Sequence, residues 1–350
     1  MTFPYTSEAI VYQGRKNGPY VDEYTIESIK PNEILIKTEY ASINPVDVKL
    51  HAFTITNKVY HTLHDFSGVV VQVGSQAAAT YSIGEKVYGS LKFPGDERFI
   101  GSYTVLDVSA DKVGKLPSTL GTKEGAALGI AYGTAYDMVE RADGVKKLGP
   151  DSKVLVLGGA TSVGSYVIEI LKKQYNVGYV AVTCSPSSSH YTKEYGADDF
   201  ISYVTPSLSD DLVKFVQSKG FKFDSILDTV GGREAIAVYD KILVPLSEHN
   251  SYVTIQGDSA PASAYSHMFF NYLIGIPTSV FRHFFGKYLG INYQFVVYSS
   301  RTSFAQAESL FSKPGVKVPI DSVYPADDIK SAWHKVDSTK AKGKVLIKFN

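Results

Sequence analysis

The stretch that most constrains the fold is VLVLGGATSVGSYVIEILKK, which covers residues 154–173. It begins with an apolar run long enough for a buried strand and passes through a glycine-rich turn. Apolar residues then follow at roughly helical spacing, at Val163, Val167, Ile170 and Leu171. A strand that ends at a helix start presents unpaired N–H groups and the positive end of the helix dipole to an anion. The pattern predicts a nucleotide-binding turn in a parallel sheet.

The turn departs from the dinucleotide fingerprint at one position. Gly158 and Gly159 suit the tight turn and Gly164 suits close packing of helix on strand, but Thr161 stands where the middle glycine is usual. Taken alone, the motif is also compatible with a strand-to-helix turn that binds nothing. A second segment, FDSILDTVGG, predicts another buried strand, and the loop that follows, which includes Val230, would face the same sheet edge.

The rest of the chain shows two patterns. Residues 8–125 contain short apolar or alternating runs separated by Gly, Asn, Asp and Pro, which predicts a compact β-barrel-like or sandwich unit. From about residue 126, apolar strands alternate with helical segments, which predicts a parallel sheet covered by helices. The tail after residue 300 predicts helix, strand, helix and strand, and we expect it to complete the first unit. The strands expected in the parallel sheet span 153–157, 179–183, 200–203, 223–228, 251–256 and 293–298.

Composition limits the partners. A length of 350 residues suits two domains, and 35 basic residues balance 35 acidic ones without long runs of like charge. This balance argues against nucleic acid and against an anionic membrane, so we expect a small-molecule partner. The first residues do not read as a secretory or transit peptide, so we expect a soluble cytoplasmic protein.

Nine segments resemble the medium-chain dehydrogenase/reductase superfamily, in its zinc-independent quinone-oxidoreductase-like branch, in order over nearly the whole chain. The segments are ASINPVDVK, HDFSGVVVQVGS, YSIGEKVYG, AALGIAYGTAY, VLVLGGATSVGS, YGADDFISY, DTVGG, IDSVYP and AKGKVLIKF. The resemblance implies an α/β protein with a GroES-like β-rich catalytic domain at 1–125 and 300–350 and a Rossmann domain at 126–299. It also implies hydride transfer from a nicotinamide cofactor in the cleft between them. The sequence is most similar to fungal members with a Thr-Ser pair in the phosphate turn, some of which are associated with lipid droplets or mitochondria.

The resemblance also indicates where catalysis would occur. Zinc-dependent relatives bind the metal with Cys, His and Cys, whereas Asn44 stands at the first of these positions and His64 at the second. Cys184 is the only cysteine, so we expect no metal. Asn44 and Asp47 are expected in the active cleft, with Asn44 donating to the acceptor's oxygen. Lys49 would supply charge or a proton, although a solvated lysine is the commoner case.

The loop after the second parallel strand points to NADPH. NAD-dependent proteins usually place a carboxylate there to hold the ribose hydroxyl, whereas this loop carries serines and His190, with Lys193 nearby. By resemblance Tyr203 would flank the 2′-phosphate and Thr134 would contact the nicotinamide carboxamide, although a packing threonine is an equal alternative. The expected cofactor-binding residues are Thr134, Gly158, Thr161, Ser162, Val163, Gly164, Ser185, Ser187, Lys193, Tyr203 and Val230.

An aromatic segment at 265–298 has no apolar run near the roughly 18 residues of a membrane span. It suits a substrate lid, a dimer surface, a peripheral lipid contact or buried packing. Its last part, YQFVVY, matches the edge strand through which relatives form homodimers. Two functions follow: an NADPH-dependent, zinc-independent reductase of quinones, α,β-unsaturated carbonyls or similar apolar acceptors, or a catalytically idle NADPH- or lipid-binding sensor or scaffold.

Overall fold

The structure is a computed structural model that describes residues 3–14, 17–54, 56–92, 98–258, 269–296 and 302–350. The strands are β1 (Tyr5–Gln13), β2 (Tyr20–Ile26), β3 (Glu33–Ile43), β4 (Val59–His61), β5 (Asp65–Val73), β6 (Lys86–Ser90), β7 (Tyr103–Asp107), β8 (Lys112–Lys115), β9 (Lys153–Leu157), β10 (Tyr179–Cys184), β11 (Asp199–Ser202), β12 (Ser225–Asp228), β13 (Ser251–Thr254), β14 (Tyr293–Phe295), β15 (Ile320–Pro325) and β16 (Lys344–Lys348). The helices are α1 (Pro45–Phe53), α2 (Thr122–Val145), α3 (Ser162–Glu169), α4 (Ser189–Glu194), α5 (Leu208–Lys219), α6 (Tyr239–Ile242), α7 (Phe269–Phe285), α8 (Thr302–Phe311) and α9 (Ile329–Asp337).

The first half of the chain forms a β-rich unit. A mostly antiparallel sheet has the order β15-β16-β3-β5-β6-β8, with β7 also paired to β3, and a smaller sheet has the order β2-β1-β4. The last strand of the tail, β16, pairs antiparallel with β3 so that Val345 lies opposite Ile43. The C-terminal strands therefore belong to the first sheet, although the exact domain boundaries stay a prediction.

The second unit is a six-stranded sheet in which each recorded pairing is parallel, in the order β11-β10-β9-β12-β13-β14. Chain order reverses at β9, which therefore lies at the switch point where ligands bind in open sheets. The predicted strands match the observed ones to within two residues at each end, except that β14 ends at Phe295. Residues 297 and 298, where the predicted strand ends, lie outside the described residues. The predicted α/β fold class is confirmed.

Helix α2 joins the two units and is shaped by the buried polar residues beneath it. It packs against β3, β5 and β6 of the first sheet and against α3 of the second unit. At Gly129 the helix is interrupted, and the N–H of Ile130 donates instead to Asp65 Oδ1 at 2.9 Å. A Cβ at Gly129 would lie 2.2 Å from the Asp65 carboxyl carbon, so only glycine allows this approach. The interruption anchors α2 to the start of β5, where Asp65 lies.

Candidate functional site

Asn44, the residue before α1, lies in a buried polar cluster. Its side-chain amide donates to Asp65 Oδ2 at 2.9 Å. Lys344, from the last strand, donates to the Asn44 amide oxygen at 2.6 Å and to Asp65 Oδ2 at 2.9 Å. An amide has two N–H groups, and within the described residues only one hydrogen of Asn44 has an acceptor.

Asp47, three residues into the same turn, forms a pair with His64. One carboxylate oxygen of Asp47 accepts the backbone N–H of Asn44 at 2.6 Å, and the other is hydrogen-bonded to Nδ1 of His64. Burial raises the pKa of the Asp47 carboxyl despite the neighbouring imidazole. Burial opposes protonation of His64, but the adjacent carboxylate more than offsets it and raises the pKa of the imidazole. Both directions favour one proton held between the two side chains.

These residues do not suit a zinc ion. The Asn44 amide oxygen accepts from a lysine ammonium, and the imidazole of His64 is bonded to Asp47 through Nδ1. Cys184 lies at the end of β10, where burial raises the pKa of its thiol. Zinc sites need three or four thiolate, imidazole or carboxylate ligands. In the described parts of the chain, no group of three or more His, Cys, Asp and Glu side chains could hold a metal ion.

Lys49 is buried, with 8% of its surface exposed, so the expectation of a solvated lysine is wrong. Its Nζ donates to Oε1 of Gln256 at 3.2 Å. Burial lowers the pKa of Lys49 to about 7. Gln256 follows β13, so this hydrogen bond links helix α1 of the first unit to the carboxyl end of the parallel sheet.

A cavity of about 880 Å³ lies at that end of the sheet. Its walls come from the loops after β9, β10, β11, β12 and β13 and from the segment before β16. Among the predicted residues, the walls include Gly158, Thr161, Ser185, Ser187, Tyr203 and Val230. Gln256 also lines the cavity, so the buried Lys49 stands directly behind one wall.

Close packing at Gly158 and hydrogen bonds of the Thr161 hydroxyl fix the conformation of the turn between β9 and α3. Gly158 has φ +81°, and a Cβ there would lie 2.3 Å from Val230 Cγ1. The Thr161 hydroxyl caps α3 by accepting the N–H of Gly164 at 2.9 Å and donates to the Gly158 carbonyl at 2.9 Å. It also lies 3.0 Å from the hydroxyl of Thr229. The threonine therefore satisfies one N–H at the helix start, and Ser162 and Val163 remain half-buried in the first turn of the helix.

The loop after β10 contributes hydroxyl groups to the cavity wall, and the segment before β16 contributes two lysines. Ser185 is hydrogen-bonded to Ser187 at 3.0 Å and to Ser188 at 2.9 Å. Lys342, which also lines the cavity, donates from Nζ to the carbonyl of Ser187 at 3.2 Å. Lys340 lies in the same wall.

Five of the eleven predicted cofactor-binding residues do not line the cavity: Ser162, Val163 and Gly164 in the first turn of α3, and Thr134 and Lys193 elsewhere. Lys193 lies exposed in the last turn of α4, and Thr134 lies half-buried in α2. Neither residue is among those that line the cavity. The physical reason for Lys193 is its helical position, since α4 turns its side chain to solvent. Lys340 and Lys342 supply positive charge instead, from a segment about 150 residues further along the chain.

Asp228, at the end of β12, shapes the opposite wall. Its Oδ1 accepts the N–H groups of Val230 at 3.1 Å and Gly231 at 2.8 Å. Its Oδ2 accepts the hydroxyls of Tyr252 at 3.2 Å and Thr254 at 3.1 Å. Burial raises the pKa of this carboxyl to about 6 despite these donors. The carboxyl group thus fixes the loop that faces the glycine-rich turn.

Sequence reasoning missed Gln256, Lys340, Lys342 and Lys344 as site residues. The three lysines lie in or beside AKGKVLIKF, one of the segments that carry the family resemblance. A lysine in a polar tail has no local signal that distinguishes it from a solvated one. Their role depends on how the last strand returns to β3, which is a property of the fold.

Comparison with known families gives two matches. Residues 30–131 match the family described as "Alcohol dehydrogenase GroES-like domain", and residues 195–347 match the family described as "Zinc-binding dehydrogenase". The chain is 30% identical to "Protein YIM1" of Candida glabrata over 344 residues, which cover 92% of each chain.

Solved structures share the fold. The quinone oxidoreductase of Coxiella burnetii superposes with a TM-score of 0.78 at 20% identity, covering 99% of this chain and 100% of the other. A thermostable alcohol dehydrogenase from Pyrobaculum aerophilum superposes with a TM-score of 0.71 at 22% identity, covering 98% and 100%. At these identities the likeness shows architecture and leaves the chemistry to the site itself.

Proposed function

We propose that this chain, which belongs to the medium-chain dehydrogenase/reductase superfamily, uses NADPH to reduce a quinone, an α,β-unsaturated carbonyl compound or a similar apolar acceptor. The two family matches and the fold identify it as an oxidoreductase of that superfamily. The cofactor and the acceptor are argued from the residues around the cavity, because one fold of this kind supports many substrates.

The observation that carries the proposal is the cavity at the switch point of the parallel sheet. Its volume of about 880 Å³ lies within the range of small-molecule and cofactor sites. The backbone at Gly158 comes so close to Val230 that a side chain is excluded, as expected where a loop must approach a phosphate. These features fit a bound dinucleotide, with the turn at Gly158 and the first turn of α3 against its phosphates.

The charge around the loop after β10 supports NADPH over NADH. Residues 184–190 contain no Asp or Glu, and Ser185 and Ser187 offer hydroxyl groups. Lys340 and Lys342 line the same cavity. A phosphate dianion is stabilised by hydroxyl donors and ammonium groups, whereas a carboxylate would repel it.

The buried residues of α1 supply the rest of the chemistry. When bound, the reduced nicotinamide supplies a hydride, and one proton must follow it onto the acceptor. Lys49 has a pKa of about 7 and can release a proton from Nζ near neutral pH. The remaining amide hydrogen of Asn44 can polarise the acceptor's oxygen, which suits acceptors already activated by conjugation. The proposal needs no metal, because the donor set around Asn44 and His64 does not suit one.

The test is a parallel titration of the purified protein with NADPH and NADH, followed by nicotinamide fluorescence, with a quinone and an enone added afterwards. The proposal predicts tighter binding of NADPH and its oxidation after an acceptor is added. Equal binding and equal turnover with NADH would contradict the cofactor assignment.

A second candidate is a catalytically idle protein that binds NADPH or a lipid as a sensor or scaffold. It is favoured by Thr161, whose hydroxyl is already engaged by Gly158, Gly164 and Thr229 where the fingerprint has glycine. Binding of NADPH without turnover across the acceptor panel would support this candidate over the reductase.

A further inference from the structure

Lys344 brings an ammonium group into the polar cluster around Asn44. It is the first residue of β16, and only 2% of its surface is exposed. Because Val345 pairs with Ile43 at the end of β3, the preceding lysine stands beside Asn44. Its Nζ lies 2.6 Å from the amide oxygen of Asn44 and 2.9 Å from Oδ2 of Asp65. The last strand of the chain therefore places a cation against the residue proposed to bind the acceptor.

The charge of Lys344 is balanced by the buried carboxylate of Asp65. Oδ2 of Asp65 also accepts the hydroxyl of Ser42 at 3.2 Å, and Oδ1 accepts the N–H of Ile130 at 2.9 Å. These two donors come from β3 and from the interruption of α2, so the carboxylate is held from two directions. Removal of either member of a buried ion pair leaves an uncompensated charge. The pair is therefore a fixed part of the site.

The ion pair determines which way the Asn44 amide points. An ammonium only donates hydrogen bonds, and a carboxylate only accepts them. The amide oxygen must therefore face Lys344, and the amide nitrogen must face Asp65, to which it donates at 2.9 Å. A reversed amide would place N–H groups against the ammonium and its oxygen against the carboxylate. The second amide hydrogen of Asn44 is thus held in one position and does not exchange places with the oxygen.

The proposed reaction places negative charge on the acceptor's oxygen. When an enone takes up a hydride at its β-carbon, its π electrons shift toward the carbonyl oxygen, and the nicotinamide is left oxidised. The oxygen stays negative until a proton arrives, which the proposed function assigns to Lys49. A cation that bonds to the amide oxygen of Asn44 draws electron density from the amide, which makes its N–H groups stronger donors.

We propose that Lys344 is a positioning residue for this reaction. It orients and polarises the Asn44 amide, so that the second amide hydrogen stabilises the negative oxygen of the acceptor. Lys344 acts through Asn44 and need not touch the acceptor itself. The inference rests on the proposed function, and the experiments below separate the two.

The first test is a double-mutant cycle on kcat/KM for cyclohexenone with NADPH. We expect Lys344→Met to lower kcat/KM at least about 10-fold, because the amide loses its polarising cation. With Asn44→Leu already present, the same change should cost less than about 2-fold, since no amide is left to polarise. A purely structural ion pair would cost the same factor in both backgrounds, and that result would overturn the inference. Lys344→Arg keeps the cation and should recover most of the rate.

Thermal unfolding shows whether Lys344→Met folds. A buried carboxyl group without its cation takes up a proton, so Asp65→Asn added to Lys344→Met imitates the neutral acid and should give the same loss of rate. Lys146→Met is the matched control. Lys146 is also ion-paired with an aspartate, Asp224 at 2.6 Å, but that residue precedes β12, at the end of the sheet opposite the cavity. The control should keep the native kcat/KM.

The second test does not depend on turnover. Infrared difference spectroscopy measures the carbonyl stretch of isotope-labelled cyclohexenone bound together with NADP⁺, which has no hydride to deliver. We expect a lower stretching frequency in the native chain than in Asn44→Leu. Lys344→Met should move the frequency at least halfway to that of Asn44→Leu, and Lys146→Met should match the native chain.

A native frequency retained in Lys344→Met would overturn the inference, and so would a native chain that binds no enone. If the native chain reduces the enone but its carbonyl frequency equals that in Asn44→Leu, the proposed function stands and the inference is wrong. A lowered frequency that depends on Lys344, in a chain that oxidises NADPH with no acceptor, would support the inference about the amide and contradict the proposed function.

Discussion

Lys49 and Lys344 both carry an ammonium group into the interior, with different surroundings. Lys344 is ion-paired with Asp65 and hydrogen-bonded to Asn44, so its charge is compensated. Lys49 is hydrogen-bonded to the neutral amide of Gln256. Burial disfavours the charged ammonium form, which lowers the pKa of Lys49. The lowered pKa allows Lys49 to exchange a proton near neutral pH.

The role of Lys49 predicts a pH dependence. Its pKa is lowered to about 7, so Nζ is protonated below that pH and neutral above it. Turnover should therefore fall as the pH rises from about 6 to about 9, and Lys49→Met should reduce kcat by about 100-fold or more. Lys49→Arg keeps the positive charge but does not release a proton near neutral pH, so it should be about as slow as Lys49→Met. A native rate that is flat across this range, or full activity in Lys49→Met, would contradict the role.

The role of Lys342 in binding the 2′-phosphate can be tested against that of Lys193 by one charge reversal each. Lys342→Glu places a carboxylate beside Ser187, so we expect the Kd for NADPH to rise at least about 10-fold, a change of about 1.4 kcal/mol. The Kd for NADH should change little, because it lacks the phosphate. Lys193→Glu is the matched control, since Lys193 is exposed outside the cavity. The assignment fails if Lys193→Glu weakens NADPH binding and Lys342→Glu does not.

Helix α3 also holds the segment that leads back to the first unit. Glu169 is buried near the end of this helix, and its Oε1 accepts the N–H of Lys317 at 2.9 Å. Within the described residues its Oε2 is buried without a hydrogen-bond partner. Burial raises the pKa of Glu169 to about 7. The ionised form of the Glu169 carboxyl is therefore unfavourable, and its burial lowers the stability of the folded protein.

The raised pKa of Glu169 predicts that the free energy of unfolding depends on pH. An acid whose folded pKa is raised from 4.5 to about 7 destabilises the folded state progressively as the pH rises through that range. Glu169→Gln keeps the oxygen that accepts from Lys317 and removes the charge. We expect it to stabilise the protein by about 1–3 kcal/mol at pH 8 and by much less at pH 5. Thermal unfolding at the two pH values measures this, and an equal effect at both would contradict it.

The sequence predicts the strands of the parallel sheet, but it does not predict the contacts between distant segments of the chain. The strands of the parallel sheet follow from apolar runs and turn residues, so their positions were predictable within about two residues. The glycine-rich turn, Ser185 and Val230 were predictable because each directly follows a strand whose carboxyl end meets the cavity. The burial of Lys49 and the positions of Lys340 and Lys342 were not, because they depend on contacts between distant segments. Lys49 meets Gln256 only when the two units pack together.

The central claim is that the two units together transfer a hydride from NADPH to an acceptor. The most direct measurement uses NADPH with deuterium at C4 of the nicotinamide, together with a cyclic enone, and examines the product by mass spectrometry. Hydride transfer from NADPH predicts that deuterium from one face of the ring appears on the β-carbon of the saturated ketone. It also predicts slower transfer with the deuterated cofactor. Tight binding of NADPH without deuterium in the product of any enone, and without oxidation by any quinone, would contradict it.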